Sequence, residues 1–289
     1  MTFEQWHSFG TFHRIEDHLV FAIDDGNSEE VMVILHGYPS TSFDYYKVFP
    51  LLTKHFRLVV HDHLGFGFSD KPLDYSYSLI EQAEIALKLW EKLGLRKVHI
   101  LAHDYGTSVA TEIISRKNAG FTSIEIQSLT LCNGSILIEL SHLRPIQKLL
   151  LNKITGPIVA HFANRNLFVR NMKKLWYDKS KIDIAEFDIL WKMLKLKNGK
   201  KVMPQLTQYI IERKRFRSRW VGALQKTAVP INIFWATEDI VAIKKIATTL
   251  HKLVPKSKLY WLEKTGHYPM LENPKAWSEK LIELVKIER

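Results

Sequence analysis

Five short, nearly continuous apolar runs recur along the chain: EVMVILHG, FRLVVHD, KVHILAHD, QSLTLCNG and INIFWATED, with SKLYWLEKTGH as a sixth. Each is bounded by Gly, Asp or Asn and separated from the next by amphipathic stretches. Strands that are apolar on both faces belong to a parallel sheet covered by helices on both sides. Ahead of the first run, SFGTFHRIEDHLVFAIDDGN alternates apolar and polar positions, which predicts an antiparallel hairpin at a sheet edge. The helix between the second and third strands is expected to open at Ser78, with Glu81 at capping-box spacing, and to close at Gly94. Another is expected to open at Asn273-Pro274 and run to the C-terminus. From Leu140 to Gly222 the strand pattern gives way to helical periodicity in IQKLLLNKI, FDILWKMLK and MPQLTQYIIERKRF, and the sheet resumes at Ile231. No internal repeat breaks this order.

Charge marks the same boundary. The chain carries +11 overall, but residues 140–222 hold 19 Lys and Arg against 5 Asp and Glu, a net of +14, and the remainder is at −3. A segment with its own periodicity and its own surface charge reads as an insertion. The expected organisation is an α/β core in two parts, 1–139 and 223–289, with a helical cap at 140–222. In open α/β sheets ligands bind beyond the carboxyl ends of the strands, where such a cap sits.

At 289 residues and 46% hydrophobic content the chain can bury a large core, which excludes a disordered protein. No run is long enough to span a bilayer, and MTFEQWHSFG lacks the pattern of a signal peptide, so a soluble, unprocessed chain is expected. Cys132 is the single cysteine, which excludes a disulfide framework and suits a reducing compartment, the cytoplasm.

Chemistry enters at KVHILAHDYGTSVA, where a buried strand ends in a carboxylate framed by Ala102 and Gly106. Small residues two positions either side of a residue between strand and helix describe a nucleophile elbow, here with Asp104 at its centre. Asp104 as a plain helix cap is the competing reading. The loop LHGYPSTS follows an earlier strand, and the backbone N–H of Tyr38 with that of Tyr105 would supply two donors for an oxyanion, with Pro39 holding the loop, through a cis bond or a trans one. Asp239 ends INIFWATED and His267 lies in KTGHYPM, giving the chain order nucleophile, acid, histidine. Glu238 competes with Asp239 for the acid position, and Asp239 also reads as a helix cap. GFGF at Gly65–Phe68 lacks the third glycine of a dinucleotide loop, and HDH at His61–His63 has no further ligands at metal-site spacing. Asp62 is expected to fix its own loop by hydrogen bonds.

Together HGYP, DHLGFGFSDKP, HDYG and GHYP resemble the epoxide hydrolase and haloalkane dehalogenase branch of the α/β-hydrolase superfamily, over nearly the whole chain. Within it, LGFGFSDKP, HDYG and QYIIERKRFRSRWVGAL are similar to the mesoderm-specific transcript subgroup and its bacterial relatives. The resemblance implies a mostly parallel sheet with an inserted helical cap, no cofactor and no metal. It also implies attack by Asp104 on an electrophilic carbon, and hydrolysis of the resulting ester by water activated through His267 and Asp239. His103 corresponds to a histidine common beside such nucleophiles and is expected to shape the elbow.

Two departures bear on the leaving group. Dehalogenases hold halide with a Trp after the nucleophile and an Asn after HG, where this chain has Tyr105 and Tyr38; fluoroacetate dehalogenases carry arginines that DYGTS lacks. Epoxide hydrolases use two cap tyrosines as acids, and SRWVGA has Val221 where one of them stands. Tyr177, Tyr209 and Trp220 are the cap candidates by location, or packing residues. The implied activity is epoxide hydrolysis on a small or lipid-derived apolar substrate. Carbon–halogen hydrolysis is the second reading, and a non-catalytic binding protein acting through its basic cap the third. ERKRFRSRW suggests peripheral contact with an anionic membrane or a solvated helix face; nucleic acid is not expected as a partner.

Overall fold

The computed structural model describes residues 1–287; the last two residues of the expected C-terminal helix lie outside them. The strands are β1 (Thr11–Ile15), β2 (His18–Asp25), β3 (Val31–Leu35), β4 (Arg57–His61), β5 (Lys97–His103), β6 (Glu125–Cys132), β7 (Ile231–Ala236) and β8 (Lys258–Leu262). They form one sheet in the order β1-β2-β4-β3-β5-β6-β7-β8. β1 and β2 form the antiparallel edge hairpin, and β2 runs antiparallel to β4. All other neighbours are parallel.

The core helices are α1 (Phe3–Phe9), α2 (Phe49–Leu52), α3 (Leu79–Lys92) and α4 (Tyr105–Asn118). Between β6 and β7 come α5 (Pro145–Leu151), α6 (Thr155–Phe162), α7 (Arg165–Lys173), α8 (Ile184–Lys195), α9 (Gly199–Leu206), α10 (Tyr209–Arg215) and α11 (Arg217–Lys226). α12 (Lys244–Leu253), α13 (Pro269–Glu272) and α14 (Pro274–Ile287) complete the chain.

The central strands read as solid apolar runs because each face feeds a different core. Val33, Leu35, Ile100, Ala102, Leu129 and Leu131 join α3, α4 and α12 on one side. Their neighbours Met32, Ile34, Leu101 and Cys132 meet Trp6 of α1 and Trp277 and Leu281 of α14 on the other. Burial at about 25 cal/mol per Å² on both faces is the main force aligning these strands. The helix α1 has no counterpart in the strand and helix patterning, although Thr2 and Gln5 form a capping box at its start; its Trp6 is buried against Phe43 and Phe49.

Three local expectations are corrected. Ser78 caps α3 through the Ile80 N–H, but Glu81 accepts from Ser76 instead of reaching back, so no capping box forms there. The Leu79 N–H is taken by Glu212 of α10 at 2.7 Å. MPQLTQYIIERKRF is not one helix: it breaks at Thr207–Gln208 between α9 and α10, where the Thr207 hydroxyl turns back to the Met203 carbonyl at 2.7 Å. β7 stops at Ala236, so Asp239 lies in the following loop and not on the strand. Among the described residues no strand lies between Cys132 and Ile231. Gly222 falls inside α11, a helix that packs on α4.

Candidate active site

β5 ends at His103 and α4 begins at Tyr105, leaving Asp104 alone in the turn with φ 42° and ψ −104°. A non-glycine residue on that side of the map stores roughly 1–3 kcal/mol, which the surroundings must hold. They do so by crowding: a Cβ at Gly106 would meet the Leu35 carbonyl oxygen at 2.2 Å, and one at Gly37 would meet His103 Nδ1 at 2.8 Å. The Asp104 carbonyl accepts from Thr107 Oγ1 at 2.6 Å and from the Arg213 guanidinium at 2.8 Å.

The Asp104 side chain does not cap α4. It is buried and accepts from the Tyr38 N–H at 3.1 Å, while Arg213 stands 3.6 Å from its other oxygen. The N–H of Tyr105, first residue of α4, belongs to the helix-start donors that have no partner within a helix. The Tyr38–Pro39 peptide is cis.

His267 follows β8 in a loop held by its own N–H on the Leu175 carbonyl at 2.8 Å. Its Nδ1 donates to Asp239 Oδ2 at 2.7 Å. Asp239 also accepts from Asn133 Nδ2 at 2.8 Å and from the Val241 and Ala242 N–H groups at 2.7 and 3.0 Å. Burial pushes the Asp239 carboxyl up, but the His267 charge and hydrogen bond, with Val241 and Asn133, hold it below the usual carboxylate range. Burial lowers the His267 imidazole, and Asp239, then Asp104 and Asp44, more than offset this and raise it above 6.5. Glu238 is exposed, accepts from Thr237 and lies 3.9 Å from Lys244, so Asp239 and not Glu238 faces the histidine. Asp239 does not cap α12 either, since Ile243 holds that position.

His103 donates from Nε2 to the His267 carbonyl at 2.8 Å, and burial, with the His267 charge, pushes it down to about 4. A neutral ring thereby ties the elbow to the histidine loop. Asp62 of HDH accepts from the Ser42 and Phe68 N–H groups at 2.8 Å each and so staples two loops behind the site. Among the described residues no group of side chains is gathered to hold a metal ion.

Asp104 and His267 open onto a cavity of about 110 Å³ that is walled by residues of α5–α9. Leu150, Val159, Leu167, Phe168, Met172 and Trp191 make its wall apolar, and Arg144, Gln147, Asn164 and Asn171 add polar groups. The cap candidates are not part of this wall. Tyr177 is half exposed on the surface, its N–H on Glu272. Tyr209 is buried between the Tyr38 and Tyr105 rings, with Gln147 donating to its hydroxyl at 3.0 Å. Trp220 is wholly buried on α11 and donates to Glu112 of α4 at 2.9 Å. Tyr38 is the tyrosine that lines the cavity, its hydroxyl 3.1 Å from Thr207.

Four residues escaped the sequence reading: Asn133, Arg213, Asp44 and Arg144. Asn133 follows β6 with φ 43°, and its place at a strand end was its one visible signal. Arg213 was hidden inside a basic string that reads as surface. In fact Arg213 is buried under Asp104, donating to Ser108 at 2.8 Å, and Arg217 and Arg219 pair with Glu139 and Glu112. Asp44 is buried, accepts from Ser40, and is pushed well above the usual carboxylate range by burial.

A mostly parallel sheet, a strained turn between strand and helix, and a histidine–carboxylate pair on the loops beyond it are the features of an α/β-hydrolase. Comparison with known proteins agrees. The chain belongs to the alpha/beta hydrolase fold family, whose profile matches residues 30–274. It is 36% identical over 266 residues to the putative hydrolase LipZ of Mycobacterium tuberculosis, covering 92% of each chain. It is also 36% identical over 279 residues to the mesoderm-specific transcript protein of Mus musculus, covering 93% of this chain and 83% of that one. The structure of epoxide hydrolase CorEH superposes with a TM-score of 0.80 at 17% identity over 97% of this chain and 99% of that one, which is a likeness of fold.

Proposed function

We propose that this α/β-hydrolase opens an epoxide on a small or lipid-derived apolar substrate through a covalent ester on Asp104. The observation that carries the reading is the Asp104 carboxylate, held in a strained elbow by the Tyr38 N–H on the same cavity as the His267–Asp239 pair. A carboxylate oxygen attacks a ring carbon, the carbon–oxygen bond breaks, and the alkoxide takes up a proton. Tyr38, which lines the cavity and whose hydroxyl also bonds Thr207, is the candidate for that donor, in place of Tyr177 and Tyr209.

In the second half, His267 takes a proton from water and the hydroxide adds to the ester carbonyl. The Tyr38 and Tyr105 N–H groups hold the oxyanion, and collapse releases the diol and restores Asp104. A serine-type acyl transfer is disfavoured, because an acyl group passed to a carboxylate is an anhydride. Carbon–halogen hydrolysis is the second reading. It is favoured by Arg144, Gln147, Asn164 and Asn171 on the wall, which offer N–H donors to a departing halide, and a halide needs no proton. Residues 140–222, in this reading, act as a cap that supplies the apolar wall. The single buried cysteine supports a cytoplasmic setting.

The test is one turnover in heavy-oxygen water. Solvent oxygen should enter the Asp104 side chain while the alcohol or diol formed in that turnover stays largely unlabelled, because an aspartate oxygen leaves with the product. Direct labelling of product with Asp104 unlabelled would overturn the ester mechanism, and absence of turnover on epoxide and haloalkane panels would favour a binding role.

The pH dependence follows from His267. Its neutral form is the base, so ester hydrolysis is lost as pH falls through its raised value. Asp239 is the leading cause of the raise, so Asp239→Asn should move the acid limb of the single-turnover hydrolysis rate to lower pH while reducing its plateau. An unmoved acid limb would assign that limb to another group.

A further inference from the structure

We propose that the outer face of the α5–α6 hairpin is a docking surface for an anionic phospholipid bilayer, set directly over the substrate cavity. Ile154 at the N-cap of α6, and Ile158 and Phe162 within it, repeat every fourth residue, the spacing of one helix face. They are exposed to 78%, 54% and 71%, and Leu149 on α5 adds 45%. Large apolar side chains that protrude in one stripe are uncommon on a surface that meets only water.

The rim of this stripe is basic. Lys148 and Lys153 lie exposed beside it on α5 and in the turn to α6. Next to it a groove is lined by Pro157, Ala160 and His161 of α6 and by Lys195, Lys197, Lys200 and Lys201. Lys197 pairs with Asp70 at 2.6 Å. The other five lysines pair with no carboxylate within 4.0 Å among the described residues, and neither α5 nor α6 carries an acidic side chain. A protruding apolar stripe flanked by cations matches the headgroup layer of an anionic leaflet, where side chains insert between lipids and lysines meet phosphates. A protein partner would instead need a cleft to receive that ridge together with an acidic surface around it.

The position gives the surface a use. Leu150 of α5, Val159 of α6 and Ala163 at the C-cap of α6 line the cavity onto which Asp104 and His267 open. One helical hairpin therefore presents apolar groups to the outside and walls the reaction site on the inside. Docking brings a membrane-dissolved substrate to that wall without passage through water. The inference concerns the surface and does not depend on which bond the enzyme breaks.

Cosedimentation of the full chain with phosphatidylcholine vesicles, with or without about one part in three phosphatidylserine, tests it. Binding is expected to the anionic vesicles and to weaken steeply as salt approaches about 0.15 M, where exposed charges are screened over about 8 Å. The Ile154→Ser/Phe162→Ser variant should bind at least about ten-fold less well, since two large apolar groups no longer insert. Lys153→Gln should lose about five-fold. Both variants should keep their thermal midpoint, because these side chains face solvent. The proposal is overturned if anionic vesicles fail to bind the chain at low salt. It is overturned equally if the Ile154→Ser/Phe162→Ser variant binds as the parent does, which would leave charge alone acting elsewhere on the protein. Preference for a soluble acidic protein over the vesicles at the same surface would assign it to a protein partner instead.

Discussion

In the His267→Gln variant, incubation with a reactive epoxide or alkyl halide is expected to add the mass of the bound substrate to the protein, and steady-state turnover is expected to fall by about three orders of magnitude or more. The two halves of the reaction ask different things of the site. In the proposed ester mechanism, attack on the substrate needs the Asp104 carboxylate, its strained turn and the Tyr38 N–H, none of which involves the imidazole. Hydrolysis, in the same proposal, needs a base for water, the role it assigns to His267, which Asp239 holds at 2.7 Å. Glutamine keeps an amide near Asp239 without the basicity, so the ester should form and persist. Asp104→Asn should accumulate no adduct under the same conditions. Intact-mass measurement distinguishes these outcomes and names the accepted substrate. Unmodified His267→Gln protein with near-native turnover would remove His267 from the mechanism.

Trp220→Ala is expected to destabilise the fold by about 3–5 kcal/mol, read as a lowered urea midpoint. Trp220 has no exposed surface, and its indole N–H satisfies Glu112, which also carries Arg116 and Arg219. Truncation opens a large cavity under α4 and removes a donor from a buried carboxylate. The substrate affinity of the remaining folded protein should stay near that of the parent, because Trp220 is absent from the cavity wall. A variant with native stability and a changed KM would return Trp220 to the role of a substrate contact.

The chain's own pattern determined the sheet, the elbow and the order of the site residues. Solid apolar runs ending in Gly, Asp or Asn are local signals, and a residue squeezed between Ala102 and Gly106 at a strand end announces its own strained turn. The candidate residues Asp104, Asp239 and His267 are legible for that reason: Asp104 directly follows β5, and Asp239 and His267 lie in the loops after β7 and β8. What surrounds them was decided by tertiary structure. Whether Asp239 or Glu238 faces His267 depends on the path of the loop after β7, since both are carboxylates in one turn and only burial separates them. Tyr177, Tyr209 and Trp220 are candidates by position alone; Tyr177 lies on the surface with its N–H on Glu272, Tyr209 is packed between the Tyr38 and Tyr105 rings, and the packing of α11 on α4 turns Trp220 to Glu112. Arg213 shows the limit most directly. Within ERKRFRSRW it is one cation among several, and burial under Asp104 is a long-range contact between residues 109 positions apart. Periodicity and charge report which face of a helix is apolar or basic; they carry no information about which distant backbone carbonyl lies opposite one residue on it. That is set when helices α5–α11 pack against the sheet and α4.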